Sequence, residues 1–160
     1  VTEDKNNFAL VSKPLSAVEK AAPGTKRVLA GMVNDTLALR KETPNRLVRV
    51  LFSAEHIIPK LKAKERFAVI REMTAHLIHI GQIRPQDEEV VVASLIKREK
   101  LMSTGYGFGC ASPRGRVNCV KDIILAIGFS ASGVEFDALD NQPVNLFAML
   151  IAPAESQEHE

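Results

Sequence analysis

Gly105-Tyr106-Gly107-Phe108-Gly109-Cys110-Ala111-Ser112-Pro113-Arg114-Gly115-Arg116-Val117 sets the reading of the chain on either side of it. Glycines at 105, 107 and 109 alternate with Tyr106, Phe108 and Cys110. This pattern predicts a strand along which another backbone runs close, because only a residue without Cβ leaves the room. Pro113 lacks an N–H for a ladder and predicts the end of that strand, and Gly115 predicts a turn after it. Arg114 and Arg116 are then expected on a loop at the strand end, where α/β proteins concentrate their chemistry. The plain alternative is a glycine-rich strand and turn that serve packing alone.

Downstream, Ile123–Phe129 and Val144–Ile151 are continuous apolar runs of strand length, as expected of central strands covered on both faces. Upstream, Glu65–Ile80 predicts a helix. Phe67, Ile70, Met73, Thr74, Leu77 and Ile80 follow a three-four spacing, and Gly81 closes it. Asp87–Leu101 predicts the next, with Asp87, Glu88 and Glu89 in its first turn and Lys97, Arg98 and Lys100 in its last, both matched to the helix dipole. Ile57–Leu61 reads as an edge strand, since Pro59 cannot donate to a ladder. Leu47–Phe52 reads as a strand or a short helix. This order of elements predicts an α/β or α+β fold. His76 and His79, three apart on a helix, have a spacing that can hold a metal. No accompanying acidic motif supports that reading, and surface histidines are the expectation.

Residues 1–46 read as a partly helical N-terminal extension, and residues 47–160 as the main domain. Thr25 caps a predicted helix through about Arg40, with Val28, Leu29, Met32, Val33, Thr36, Leu37 and Leu39 on one broad face. Leu15–Ala22 can form a shorter helix, and Lys41–Arg46 reads as a linker. The chain opens on Val1 rather than Met, as expected of a trimmed sequence.

The whole chain carries a net charge of +2, which conceals an asymmetry. All 21 Lys and Arg fall within residues 1–121 against 12 acids, while residues 122–160 hold 7 acids and no Lys or Arg. The two parts attract. No basic run is interleaved with aromatics, so nucleic-acid binding is not the expectation. The apolar runs are too short to span a bilayer, and no basic-then-apolar leader opens the chain. Cys110 and Cys119 are the only cysteines; without a Cys-x-x-Cys they predict neither a zinc site nor a redox motif. Reduced thiols and a cytoplasmic location are the expectation, with a Cys110–Cys119 bridge left open.

Lys97–Val117 resembles the active-site stretch of enzyme IIA domains of the phosphoenolpyruvate-dependent sugar phosphotransferase system, in the fructose/mannitol class and its nitrogen-regulatory branch. The matching residues are Arg98-Glu99, Ser103-Thr104-Gly105 and Gly109-Cys110-Ala111-Ser112-Pro113-Arg114-Gly115. The likeness runs from about Leu47 to Ala152 and includes Val134–Asp140 and Pro143-Val144. It implies a mixed β-sheet flanked by helices. Family members continue past the position of His159 with a further helix, so the resemblance implies a cut C-terminus or another segment on that surface. The Thr25–Arg40 helix is a candidate by shape.

The resemblance also implies a chemistry. In the family a neutral imidazole takes a phosphoryl group from a histidine-phosphorylated carrier protein and passes it onward. Here the acceptor position falls on Arg114. Arg98 falls on the active-site arginine, Thr104 (beside Ser103) on the hydroxyl position, and His159 near a second histidine. A guanidinium offers no lone pair at neutral pH, so Arg114 cannot serve as the nucleophile. Arg98, Arg114 and Arg116 could instead form an anion-binding corner for phosphate or a similar group. The expectation is a non-transferring regulatory or protein-interaction module, partnered by a carrier protein of the system or a regulatory target, without cofactor or metal. The alternative is an active phosphocarrier that uses another residue such as His159.

Overall fold

The computed structural model describes residues 50–51 and 53–154. The predicted Leu15–Ala22 and Thr25–Arg40 helices, the Lys41–Arg46 linker and His159 lie outside the described residues. The strands are β1 (Val50–Leu51), β2 (Ile57–Ile58), β3 (Gly105–Gly107), β4 (Cys110–Ala111), β5 (Arg114–Val117), β6 (Ile123–Val134) and β7 (Val144–Pro153); the helices are α1 (Arg66–His79) and α2 (Glu88–Leu101). Short 3-10 turns at Ala54–His56 and Pro85–Asp87 precede β2 and α2.

Antiparallel β6 and β7 form the trunk of one mixed sheet. β1 and β2 both run parallel to β6, with Val50 opposite Ile123 and Ile57 opposite Ile127. They are two pieces of one edge line, separated by the 3-10 turn at Ala54–His56. β4 and β5 both run parallel to β7, with Cys110 opposite Leu146 and Arg114 opposite Leu150. β3 closes that side antiparallel to β4. The mixed sheet and its helices match the expected fold class.

Three local expectations change. The glycine-rich stretch expected as one strand is two, β3 and β4, which run antiparallel across a turn at Phe108-Gly109. Arg114–Val117 is a strand and not a loop. Pro113 lacks an N–H, but its carbonyl still accepts from Leu150 N at 2.8 Å, so the β7 ladder carries across it. Gly115 is needed for a close approach and not for a turn: a Cβ there would stand 2.9 Å from Ser94 Oγ and 3.2 Å from Leu95 N. The close backbone expected at Gly105 is present; its carbonyl accepts from Leu139 N at 3.1 Å, and a Cβ would meet Ala138 at 2.8 Å.

α1 and α2 bury Val69, Ile70, Met73, Leu77, Val91 and Leu95 against one face of the sheet. That face presents Ile124 and Ala126 from β6, and Phe147, Met149 and Ile151 from β7. Phe136 and Phe147 meet edge-on, with ring centroids 5.2 Å apart. Strand alternation turns Ile123, Leu125, Ile127, Leu146, Ala148 and Leu150 to the other face. There they form two small clusters made of strand residues alone, so the described helices cover only one side of the sheet.

Candidate functional site

A surface cleft of about 430 Å³ opens where α2 overhangs the β5 edge. From α2 it takes Ser94, Lys97, Arg98 and Leu101; from β5, Arg114, Gly115 and Arg116; from β7, Leu150 and Ala152. Lys97, Arg98 and Leu101 sit one helical turn or less apart, so they share a face of α2. Arg114 and Arg116 alternate with Gly115 and so share a face of β5. Gly115 lets α2 lie against the strand, which draws the two basic sets together. Ser94 ties them, donating from Oγ to the Arg116 carbonyl at 2.9 Å and accepting from Arg116 N at 3.1 Å.

Four cationic side chains therefore line the cleft, and among the described residues no acid does. Arg98 donates from Nη1 to the Met102 carbonyl at 3.0 Å, which fixes its stem across the last turn of α2. None of the ion pairs among the described residues involves Lys97, Arg98 or Arg114. Such a set is suited to an anion. Guanidinium forks present paired donors to phosphate or carboxylate oxygens, and the lysine adds a point charge. Leu101 at 76% exposure and Met102 at 66% form an apolar lip beside it.

The structure brings Arg98, Arg114 and Arg116 to this cleft but not Ser103, Thr104 or Pro113. Ser103 donates to the Phe136 carbonyl at 2.8 Å. Thr104 is buried, and its hydroxyl donates to Glu99 Oε2 at 2.6 Å. Thr104 is therefore held inward on Glu99 and does not line the cleft with Arg98 and Arg114.

Sequence reasoning named Glu99 only as part of the Arg98-Glu99 match and gave it no role; its side chain is fully buried. Its Oε1 accepts from Arg66 Nε at 3.2 Å, Arg66 Nη2 at 2.8 Å and Thr104 N at 2.9 Å. Arg66 is itself held over the Phe136 ring, 5.5 Å from its centroid, and pairs weakly with Asp137 at 3.5 Å. One signal was available. An acid in the last turn of a helix opposes the dipole, so a Glu at that place must be stabilised by something else.

Other candidates stay apart. His76 donates from Nε2 to the Glu55 carbonyl at 2.6 Å, and among the described residues no group of three or more His, Cys, Asp or Glu could hold a metal ion. Cys110 and Cys119 are unbridged thiols. Burial pushes the Cys110 thiol up to about 11. No helix among the described residues is long and apolar enough to cross a membrane.

Residues 50–160 match the family model described as phosphoenolpyruvate-dependent sugar phosphotransferase system, EIIA 2. A nitrogen regulatory protein of Bradyrhizobium diazoefficiens is 31% identical over 103 residues, covering 64% of this chain and 65% of that one. The fructose-specific EIIA component of a phosphotransferase system in Haloferax volcanii is 35% identical over 75 residues, covering 47% and 49%. The crystal structure of nitrogen regulatory protein IIA-Ntr from Neisseria meningitidis superposes with a TM-score of 0.57 at 31% identity, covering 64% of this chain and 68% of that one. The matched stretches thus span between about half and two thirds of these curated relatives' own lengths.

Proposed function

The chain belongs to the EIIA 2 family of the phosphoenolpyruvate-dependent sugar phosphotransferase system, and from that premise we propose that it is a regulatory or protein-interaction module that binds an anion in its basic cleft without relaying a phosphoryl group. In this reading Arg114 stands where the family motif carries its acceptor histidine. The observation that carries the proposal is that Arg114 lines a cleft with Lys97, Arg98 and Arg116, and with no acid among the described residues.

The physical argument is one of charge and lone pairs. Phosphoryl acceptance needs a nucleophilic lone pair, which a neutral imidazole has and a guanidinium lacks. What Arg114 supplies is positive charge and a fork of donors. These hold an anion already formed, whether free phosphate or a phosphoryl group carried by a partner. The partner class is a carrier protein of the phosphotransferase system or a regulatory target, and the compartment is the cytoplasm. The exposed Leu101 and Met102 offer apolar contact beside the charged cleft.

Phosphoryl transfer tests the reading directly. Wild type and Arg114→His are incubated with labelled phosphoenolpyruvate, the first enzyme of the system and its carrier protein. The wild type should remain unlabelled, while inorganic phosphate should bind it in a titration and bind Arg98→Ala/Arg114→Ala at least about tenfold more weakly. Acid-labile label on the wild type, lost on His159→Ala, would overturn the proposal in favour of a working phosphocarrier.

A further inference from the structure

We propose, building on the anion-binding reading above, that the ligand of the basic cleft is a nucleoside triphosphate. The cleft is larger than a bare anion needs. Its volume of about 430 Å³ falls within the roughly 300–1,000 Å³ of pockets that take drug-sized ligands. A phosphate ion would leave most of it unfilled. The walls also have a direction. Burial first, and then the nearby Asp87 carboxylate, push the Cys119 thiol up, so the start of α2 lies by Cys119. Ser94, farther along α2, bonds Arg116. α2 therefore runs antiparallel to β5. Arg114 lies about 7 Å before Arg116 on its strand, and four residues of helix advance about 6 Å, so Lys97 and Arg98 come level with Arg114. Leu101 stands about one turn beyond them, past Arg114, whose partner on β7 is Leu150. The cleft is thus cationic along its length from Arg116 to Arg98 and ends on an apolar lip.

That layout matches an anion of the same polarity. Cations spread over about 7 Å of strand suit a chain of phosphates rather than one. The forks of Arg98 and Arg114 take paired chain oxygens, and Lys97 adds a point charge. A backbone donor joins them. The Pro113 carbonyl points to β7, where it accepts from Leu150 N. The Arg114 N–H of the same trans peptide therefore points the other way, to the side on which Ser94 takes the Arg116 N–H. Among the described residues the Arg114 N–H has no partner, so it is open to a phosphate oxygen. The apolar wall is short, formed by Leu101, Leu150 and Ala152. It suits a compact ring system and not a long chain. A nucleobase laid on the exposed Leu101 would cover it, and a guanidinium plane can stack on the base.

Calorimetric titration of the full chain with ATP, tripolyphosphate and inorganic phosphate, all without divalent metal, tests the ligand class. ATP should bind at least about tenfold more tightly than inorganic phosphate, with tripolyphosphate between them. Lys97→Ala should weaken ATP and tripolyphosphate by at least about fivefold each. Arg71→Ala, which removes a cation outside the cleft, should change either by less than about twofold. Leu101→Ser, at a position too exposed to endanger the fold, should weaken ATP at least about threefold more than it weakens tripolyphosphate. The nucleotide assignment fails, with the anion reading intact, if phosphate binds and ATP binds no more tightly. It fails likewise if tripolyphosphate matches ATP and Leu101→Ser affects both alike, which would make the cleft a reader of charge alone. Equal losses from Arg71→Ala and Lys97→Ala would remove the cleft as the site. Binding of none of the three anions would overturn the nucleotide assignment and the anion reading together.

Discussion

Replacing Glu99 by Ala should be among the most destabilising single changes in the described domain. Its carboxylate accepts four hydrogen bonds, two from Arg66 and two from Thr104, with a fully buried side chain. Truncation leaves the buried Thr104 N–H without that acceptor and Arg66 without its main counter-charge. Breaking a buried pair from one side costs about 3–5 kcal/mol. Arg66 softens this, because its side chain keeps 21% exposure and lies 3.5 Å from Asp137. The expected loss is therefore about 3–4 kcal/mol, much of it from the Thr104 amide and the uncompensated guanidinium.

Glu99→Gln separates charge from hydrogen bonding. Its amide oxygen can face Arg66 and the Thr104 N–H, and its NH₂ can donate to the Thr104 hydroxyl, which then rotates. Three kinds of contact survive and only the ion pair is lost, so the cost should be about 1–2 kcal/mol. Urea unfolding reads both variants. At a slope of roughly 1.5 kcal/mol/M, Glu99→Ala should lower the midpoint by roughly 2 M and Glu99→Gln by about half as much or less. An Arg66→Met/Glu99→Gln cycle should show coupling above about 0.5 kcal/mol. The reasoning fails if Glu99→Ala lies within about 1 kcal/mol of wild type, or if Ala and Gln cost the same.

Gly115→Ala should destabilise by about 1–3 kcal/mol, since the new Cβ would press on Ser94 Oγ and Leu95 N. It should also weaken phosphate binding by parting α2 from β5; a titration beside thermal melting checks both. Cys110, buried with its thiol pushed up to about 11, should resist a thiol reagent at pH 8 in the native protein and react on unfolding. Burial is also the main reason that His56 has a lowered pKa, against a smaller opposing pull from Glu55. The unfolded chain therefore binds this proton more readily. The stability contributed is present above the unfolded value near 6.5 and is lost as pH falls through the lower folded value. Unfolding midpoints of wild type and His56→Gln, compared from pH 7 down to 5, should show a steeper fall in the wild type.

The long helices were plain from residue spacing. α1 and α2 begin and end within a residue of the predicted limits, because the three-four pattern and Gly81 act locally. The trunk strands were plain too, since buried runs of Ile, Leu and Ala leave few other choices. β6 nevertheless continues past Phe129 to Val134, through polar residues that rejoin β7 where Val134 faces Val144. The edges were legible only in part: Ile57–Leu61 read as an edge strand and β2 forms at its start, but the two-residue β4 has no period to detect, and nothing local showed the turn that parts it from β3. The site divided in the same way. Arg98 and Arg114 could be named from a motif, but no local pattern shows that Thr104 turns inward, because its partner Glu99 is fixed by Arg66, 33 positions away.

The trunk hairpin implies an order of assembly. β6 and β7 are joined by residues 135–143 only, so their pairing closes a short loop, whereas β1 must find β6 across more than 70 residues. Closing the short loop first carries the smaller entropic cost. The hairpin should thus be structured early in the rate-limiting step, and the β5 side of the basic cleft should form on it afterwards. Substitutions at Ala126 or Met149 should then slow refolding in a chevron experiment, while Glu99→Gln should chiefly speed unfolding. The two limbs of the chevron exchanging these roles would reverse that order.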